Sequence, residues 1–257
     1  MLAPVRLMPP GSPSLDTDDS IARLDTETRV FVATTAARRS ELELGGAAAF
    51  TAVTQALIDL RADLRIVDLS ARAIAEEIDH SGIYLSVARA YAGEELSAPR
   101  PEPIPVPAYP RVGADGERLL RVVGMCAINE TMACSFLELC LEGATAPRVR
   151  EGLRRVLEDE IRHARIGWAY LGSPDVGDAE RRLVSEWLQQ MLRAQWRGWC
   201  DQIATLPVGE CVEHGCPSGK AIERAASASV RHLVLPGFAH AGIDVTSTLE
   251  WFESGGA

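Results

Sequence analysis

The stretches that decide the fold are Glu76-Glu77-Ile78-Asp79-His80 and Asp159-Glu160-Ile161-Arg162-His163. Each reads acidic residue, Glu, Ile, any residue, His. A glutamate and a histidine three residues apart share one helix face, so each pair aims two donors at one point. An upstream glutamate accompanies each stretch inside an apolar stripe. Glu43 lies with Ala36, Ser40, Gly46, Ala47 and Phe50, and Glu130 with Val123, Cys126, Ala127, Ala133, Cys134 and Leu137. Glu43 precedes Glu77 by 34 residues and Glu130 precedes Glu160 by 30, in each case one helix, a turn and half of another. The order Glu, then Glu-x-x-His, thus occurs twice, as two half-sites of a pseudo-twofold repeat. Four carboxylates in a low-dielectric core are too costly to leave uncompensated. Two divalent cations cancel them, and a carboxylate–imidazole set without thiolate suits Fe or Mn.

Working outward, helical patterning begins near Thr28 and continues without proline through residue 62. A second helix is predicted over 64–92. From Ser97 to Pro110 alternating prolines forbid a helix and predict an extended connection. Two helices follow, over 116–142 and 147–171, the last closed by Gly172-Ser173-Pro174. A fifth is expected over 176–205 and a sixth over 218–235, ending before Pro236. No stretch alternates like a strand. The prediction is an all-α chain: residues 1–28 a flexible tail, 29–172 a four-helix bundle with one long crossover between helices two and three, and 173–257 a C-terminal helical extension packed on it. That crossover is the ferritin-like connection among bundle topologies.

The composition agrees with a soluble globular protein. Of 257 residues 47% are hydrophobic and 24% charged, too apolar for a disordered chain. A net charge of −10 argues against nucleic-acid binding as the main business. The longest uncharged run, Leu44 to Ile58, is too short for a bilayer, and the proline-containing start does not read as a signal peptide. Six cysteines make no disulfide scaffold at this length. A cytoplasmic location is expected by default.

Other residues carry weaker signals. A metal-bound histidine hands its second ring nitrogen to a carboxylate. Asp159 is therefore expected beside His80, and Glu76 beside His163, across the bundle. Tyr84, one turn after His80, is a candidate hydrogen-bond or radical partner, though core packing competes with that role. Cys126 and Cys134 bracket Glu130 as small apolar packers. Cys211, His214 and Cys216 lack a zinc pattern and read as loop packing. Trp187, Trp196 and Trp199 form the apolar stripe of the fifth helix, and a mainly apolar cavity is expected between the candidate metal site and helices five or six, the alternative being a helix that only thickens the core or forms a dimer interface.

These residues resemble the ferritin-like superfamily of di-iron carboxylate proteins, over about residues 29–172. The chain is most similar to bacterial ferritin-like domain proteins of mostly unassigned function. The likeness is carried by Glu43-Leu-Gly-Gly-Ala-Ala-Ala-Phe50, Glu77-x-x-His80, Glu130 and Asp159-Glu160-Ile-Arg-His-Ala-Arg-Ile-Gly-Trp168, with His214-Gly215 and Val234-Leu-Pro236. The resemblance implies metal ligands Glu43, Glu77, His80, Glu130, Glu160 and His163. Glu77 and Glu160 would bridge, Glu43 and Glu130 would be terminal, and one histidine would serve each ion. Aromatic-amine N-oxygenases of this superfamily carry a further histidine seven residues before the last one. Val156 stands there in this chain.

The expected cofactor is two iron ions, with Mn or mixed Fe/Mn as the variant. The expected function is a non-haem di-iron oxidase or oxygenase (a monooxygenase among them) acting on a small organic molecule. Alternatives are a ferroxidase or peroxide-detoxifying ferritin-like protein, and a non-catalytic helical module. Storage needs little beyond the bundle, whereas some 80 further residues with four tryptophans suit a covered pocket. Expected partners are O2, a small-molecule substrate and an external electron donor, with a homodimer left open and neither nucleic acid nor membrane.

Overall fold

Two long helices begin at aspartate caps. Asp25 accepts the amide of Thr28 at 2.7 Å and opens α2 (Thr26–Asp59), preceded by the single turn α1 (Asp19–Ala22). Asp63 accepts the amide of Arg65 at 2.8 Å and opens α3 (Leu64–Ala92), which closes on Gly93 in the left-handed region, φ 70°. The computed structural model describes residues 19–93, 96–101 and 107–255. Of the expected tail, residues 1–18 lie outside these. The remainder is a correction: residues 19–28 carry α1 and the start of α2, because the Asp25 cap starts the helix early. The proline-rich connection has neither helix nor strand over 97–101 and 107–109, and 102–106 lies outside the described residues.

The third long helix runs Ala114–Gly143 in three parts. α4 (Ala114–Val122) leads into a π-helical segment, Val123–Asn129, and then α5 (Glu130–Gly143). In the wide turn the Glu130 amide reaches back five residues to the Met125 carbonyl. By length and composition this helix could cross a membrane, and half of its most apolar window is buried inside the protein. α6 (Pro147–Leu171) starts with proline at its first turn. α7 (Asp178–Thr205) and α8 (Gly219–Ser229) follow.

The sixth predicted helix does not stop before Pro236. A second π-helical segment, Val230–Val234, bonds the Leu235 amide to the Val230 carbonyl, and α9 (Leu235–His240) carries Pro236 in its first turn. The widened turn accommodates a ring that a regular α-helix would exclude. α10 (Thr246–Glu253) ends the described chain.

The protein is all-helical, with no β-strand among the described residues and one isolated bridge, Cys211 to Cys216. α2 packs along α3, α5 on α6, α3 on α6 and α2 on α4. α7 and α8 cover the third long helix, and α10 lies on α7. Two apolar clusters form. One gathers Phe50, Val53, Leu120, Ile128, Ile166 and Leu188. The other gathers Val32, Tyr84, Tyr91, Leu137, Leu153 and Val156. Between them along α2, α3, α5 and α6 lies the polar layer of Glu43, Glu77, His80, Glu130, Glu160 and His163.

α6 meets the π-helical segment backbone to backbone. A Cβ on Gly167 would lie 2.4 Å from the Ala127 nitrogen and 2.8 Å from the Cys126 carbonyl carbon. Gly167→Ala gains about 1 kcal/mol of helix propensity but forces two buried backbones apart, at about 3 kcal/mol. The net loss of roughly 2 kcal/mol corresponds to a Tm lower by roughly 4–8 °C, read by thermal melting. An unchanged or raised Tm would show that the helices part freely.

Candidate metal centre

Each Glu-x-x-His pair turns inward on its own helix, one turn apart on α3 and on α6. His80 Nδ1 lies 3.3 Å from Glu160 Oε1, 3.5 Å from Glu43 Oε2 and 3.7 Å from Glu77 Oε2. His163 Nδ1 lies 3.1 Å from Glu160 Oε2 and 3.3 Å from Glu77 Oε1. The two imidazole centroids are 5.8 Å apart. Two groups of donor atoms form, each within 4.8 Å of one another: Glu43, Glu77, His80 and Glu160, and Glu77, Glu130, Glu160 and His163. All six residues singled out in the sequence converge, and Glu77 and Glu160 belong to both groups. Glu43 is the most open of them, its side chain 18% exposed.

The outer ring nitrogens are held from behind. His80 Nε2 pairs with Asp159 Oδ2 at 3.0 Å, and His163 Nε2 with Glu76 Oε2 at 2.9 Å. These are the crossed pairings expected from sequence. Arg162 donates to Asp159 Oδ1 and, at 3.2 Å, to Glu76 Oε1, tying the two outer carboxylates together. A proton on each Nε2 leaves the Nδ1 lone pair facing the glutamates, the orientation a metal ligand needs. His80 Nδ1 is buried and has no hydrogen-bond partner. That orphaned atom, aimed at three carboxylates, fits a cation between them. The donor set is oxygen and imidazole nitrogen, suited to Fe or Mn.

Electrostatics among the protein groups alone make the same point. Burial pushes Glu43 up to about 8. Burial and the neighbouring Glu160 charge push Glu130 well above the carboxylate range. Burial disfavours charged imidazoles, yet bonds to Glu160, Glu76 and Glu77 raise His163 to about 12. His80 rises well above its ordinary value, because Glu160, Glu43 and Glu77 outweigh its burial. Burial would raise Glu160 as well, but the bond to His163 and the neighbouring His80 and Glu130 groups hold it below the usual range. Protons therefore supply positive charge that a divalent ion would displace.

Two neighbours were not singled out in the sequence. Asn129, last residue of the π-helical segment, donates to Glu130 Oε1 at 3.1 Å and accepts from Trp199 Nε1 at 3.0 Å. Arg162 is the other, and its place inside the second decisive stretch was the available signal. Phe50 packs on the His163 ring, centroids 4.8 Å apart.

The remaining candidates fall outside the centre. Tyr84 is buried, with Arg39 5.8 Å from its ring, and makes no hydrogen bond to the six residues. Burial raises the Cys126 and Cys134 thiols, and neither joins a ligand group. Cys211 and Cys216 pair through their backbones, and His214 Nδ1 meets the Tyr91 hydroxyl at 2.5 Å. That loop packs, and it forms no metal-binding group among the described residues. A cavity of about 920 Å3 reaches Glu43, Glu77, Glu130 and Glu160 and is walled by α7 through Gly198, Trp199 and Ile203. It lies where the sequence placed one.

No family model, curated protein or solved structure matches the chain.

Proposed function

We propose that the chain is a ferritin-like di-iron oxidase or oxygenase that acts on a small organic substrate. The observation that carries this reading is the pair of imidazoles held from behind, each with Nδ1 facing carboxylates that a large cavity reaches. One ion would be held by Glu43, Glu77, His80 and Glu160, the other by Glu77, Glu130, Glu160 and His163. Two iron ions, or manganese in their place, would supply the redox chemistry of O2 activation.

The protein's own residues do the rest. Glu77 and Glu160 hold both positions together. Asp159 and Glu76 keep the Nε2 protons and fix both rings, with Arg162 locking the two acids. Asn129 orients Glu130 and connects it to Trp199 in the cavity wall. The packed clusters on either side keep water from the buried faces. Electrons come from an external donor, because the sequence holds no flavin or nicotinamide motif. The cavity favours a substrate-oxidising role over iron storage, which needs room only for iron and O2.

The test is metal analysis of protein purified without oxygen, followed by O2 addition. The reading expects two irons per chain, O2 uptake with an optical change, and no mineral. Accumulation of many irons per chain would replace it with storage. Absence of bound metal after anaerobic iron loading would remove it.

A further inference from the structure

The cavity carries polar groups that the proposed metal chemistry leaves unused. Nine residues before Glu130 on the same helix, Arg121 lines it, together with Tyr109 and Gln195. Arg121 is half-buried, and its Nε is shut off from solvent without a hydrogen-bond partner. No side-chain hydrogen bond or ion pair joins Arg121, Tyr109 or Gln195 to any described residue. Of the other cations that line it, Arg38 pairs with Glu41 at 2.6 Å, Arg39 donates to the Gly215 carbonyl at 3.0 Å, and Arg100 is exposed to solvent. Two of the unused donors, Tyr109 and Gln195, meet at Gly124, one turn after Arg121 on the same helix, and the Arg121 charge acts on the Tyr109 hydroxyl. The site a Cβ would take there lies 3.5 Å from the Tyr109 hydroxyl and 3.7 Å from Gln195 Nε2. Glycine leaves that space open to the cavity.

A half-buried guanidinium without an acid is costly, and a hydroxyl and an amide lining the same cavity complete a site for a carboxylate. About 13 Å of helix separates Arg121 from Glu130. Met125 and Trp199 line the cavity along with them. We infer that the substrate is an elongated organic carboxylate with an apolar body, its anionic head held by Arg121, Tyr109 and Gln195 and its far end presented to the four glutamates. The inference rests on the metal-centre reading for which end reacts. The head site itself stands on Arg121 and its neighbours.

The test is calorimetric binding to the full chain, before and after iron loading, with metal content measured on the same samples. The probes are decanoate and 4-phenylbutanoate against their neutral counterparts decan-1-ol and 4-phenylbutan-1-ol. The acids are expected to bind about tenfold or more tightly than the alcohols. Arg121→Gln should abolish that preference and leave alcohol binding in place. Tyr109→Phe, which keeps its ring against Trp187, should weaken the acids several-fold. Acids and alcohols binding alike, no binding of any probe, or a preference that survives Arg121→Gln would each overturn the inference. A chain that takes up metal but shows no acid preference sinks this inference alone. One that prefers acids through Arg121 yet takes up no metal sinks the metal reading and keeps the head site.

Discussion

Glu160→Ala is expected to lower metal affinity by about 100-fold or more while the helices stay folded. Losing an outer partner of a ligand costs about 10–100-fold, and Glu160 stands nearer than that. Its two oxygens face different imidazoles, Oε1 toward His80 at 3.3 Å and Oε2 toward His163 at 3.1 Å, so its removal opens both donor groups together. The fold has other supports. The two apolar clusters lie on either side of the polar layer and include none of its carboxylates. The alanine also relieves repulsion, since the Glu160 charge contributes to holding Glu43 and Glu130 protonated. Competition titration with a chelator should show the loss of affinity, and circular dichroism should show unchanged helicity. A variant that keeps its metals and its affinity would remove Glu160 from the ligand set, and with it the shared-carboxylate arrangement.

The parts of this molecule legible in the sequence are those fixed within one helix. Glu77 and His80, or Glu160 and His163, meet because 3.6 residues make a turn, and no tertiary information is needed to place them. The crossed partners Asp159 and Glu76 were legible for a related reason: each adjoins a candidate ligand position and faces the opposite half of the repeat. What escaped depends on spacing between helices or on irregular turns. A π-helical turn adds a residue without a distinctive residue type, so neither Val123–Asn129 nor Val230–Val234 announced itself, and the second carried the helix past Pro236. Asn129 gains its role from that turn and from Trp199, 70 residues away. Arg121 looks like any surface arginine until α7 and Tyr109 enclose it.

Close approach of α2 to α3 gives the second large expectation. Gly46→Ala should lower metal affinity by about 10–100-fold, as the loss of a positioning contact does, without unfolding the protein. An added Cβ would lie 2.6 Å from Glu77 Oε2 and 2.7 Å from its Cδ. What must yield is the end of a flexible side chain, so the helices hold their spacing and the Glu77 carboxylate swings away. Glu77 belongs to both donor groups, so that displacement is felt at both positions. Alanine for glycine inside a helix adds about 1 kcal/mol of propensity, so the Tm measured without metal should hold or rise while metal binding falls. Gly198→Ala separates crowding from propensity. Its Cβ would meet nothing within 4 Å, so it shares the helical gain and should leave metal affinity unchanged. Equal affinities in the two variants would mean that Glu77 tolerates the displacement, and that the small residue at 46 serves helix packing and not the centre.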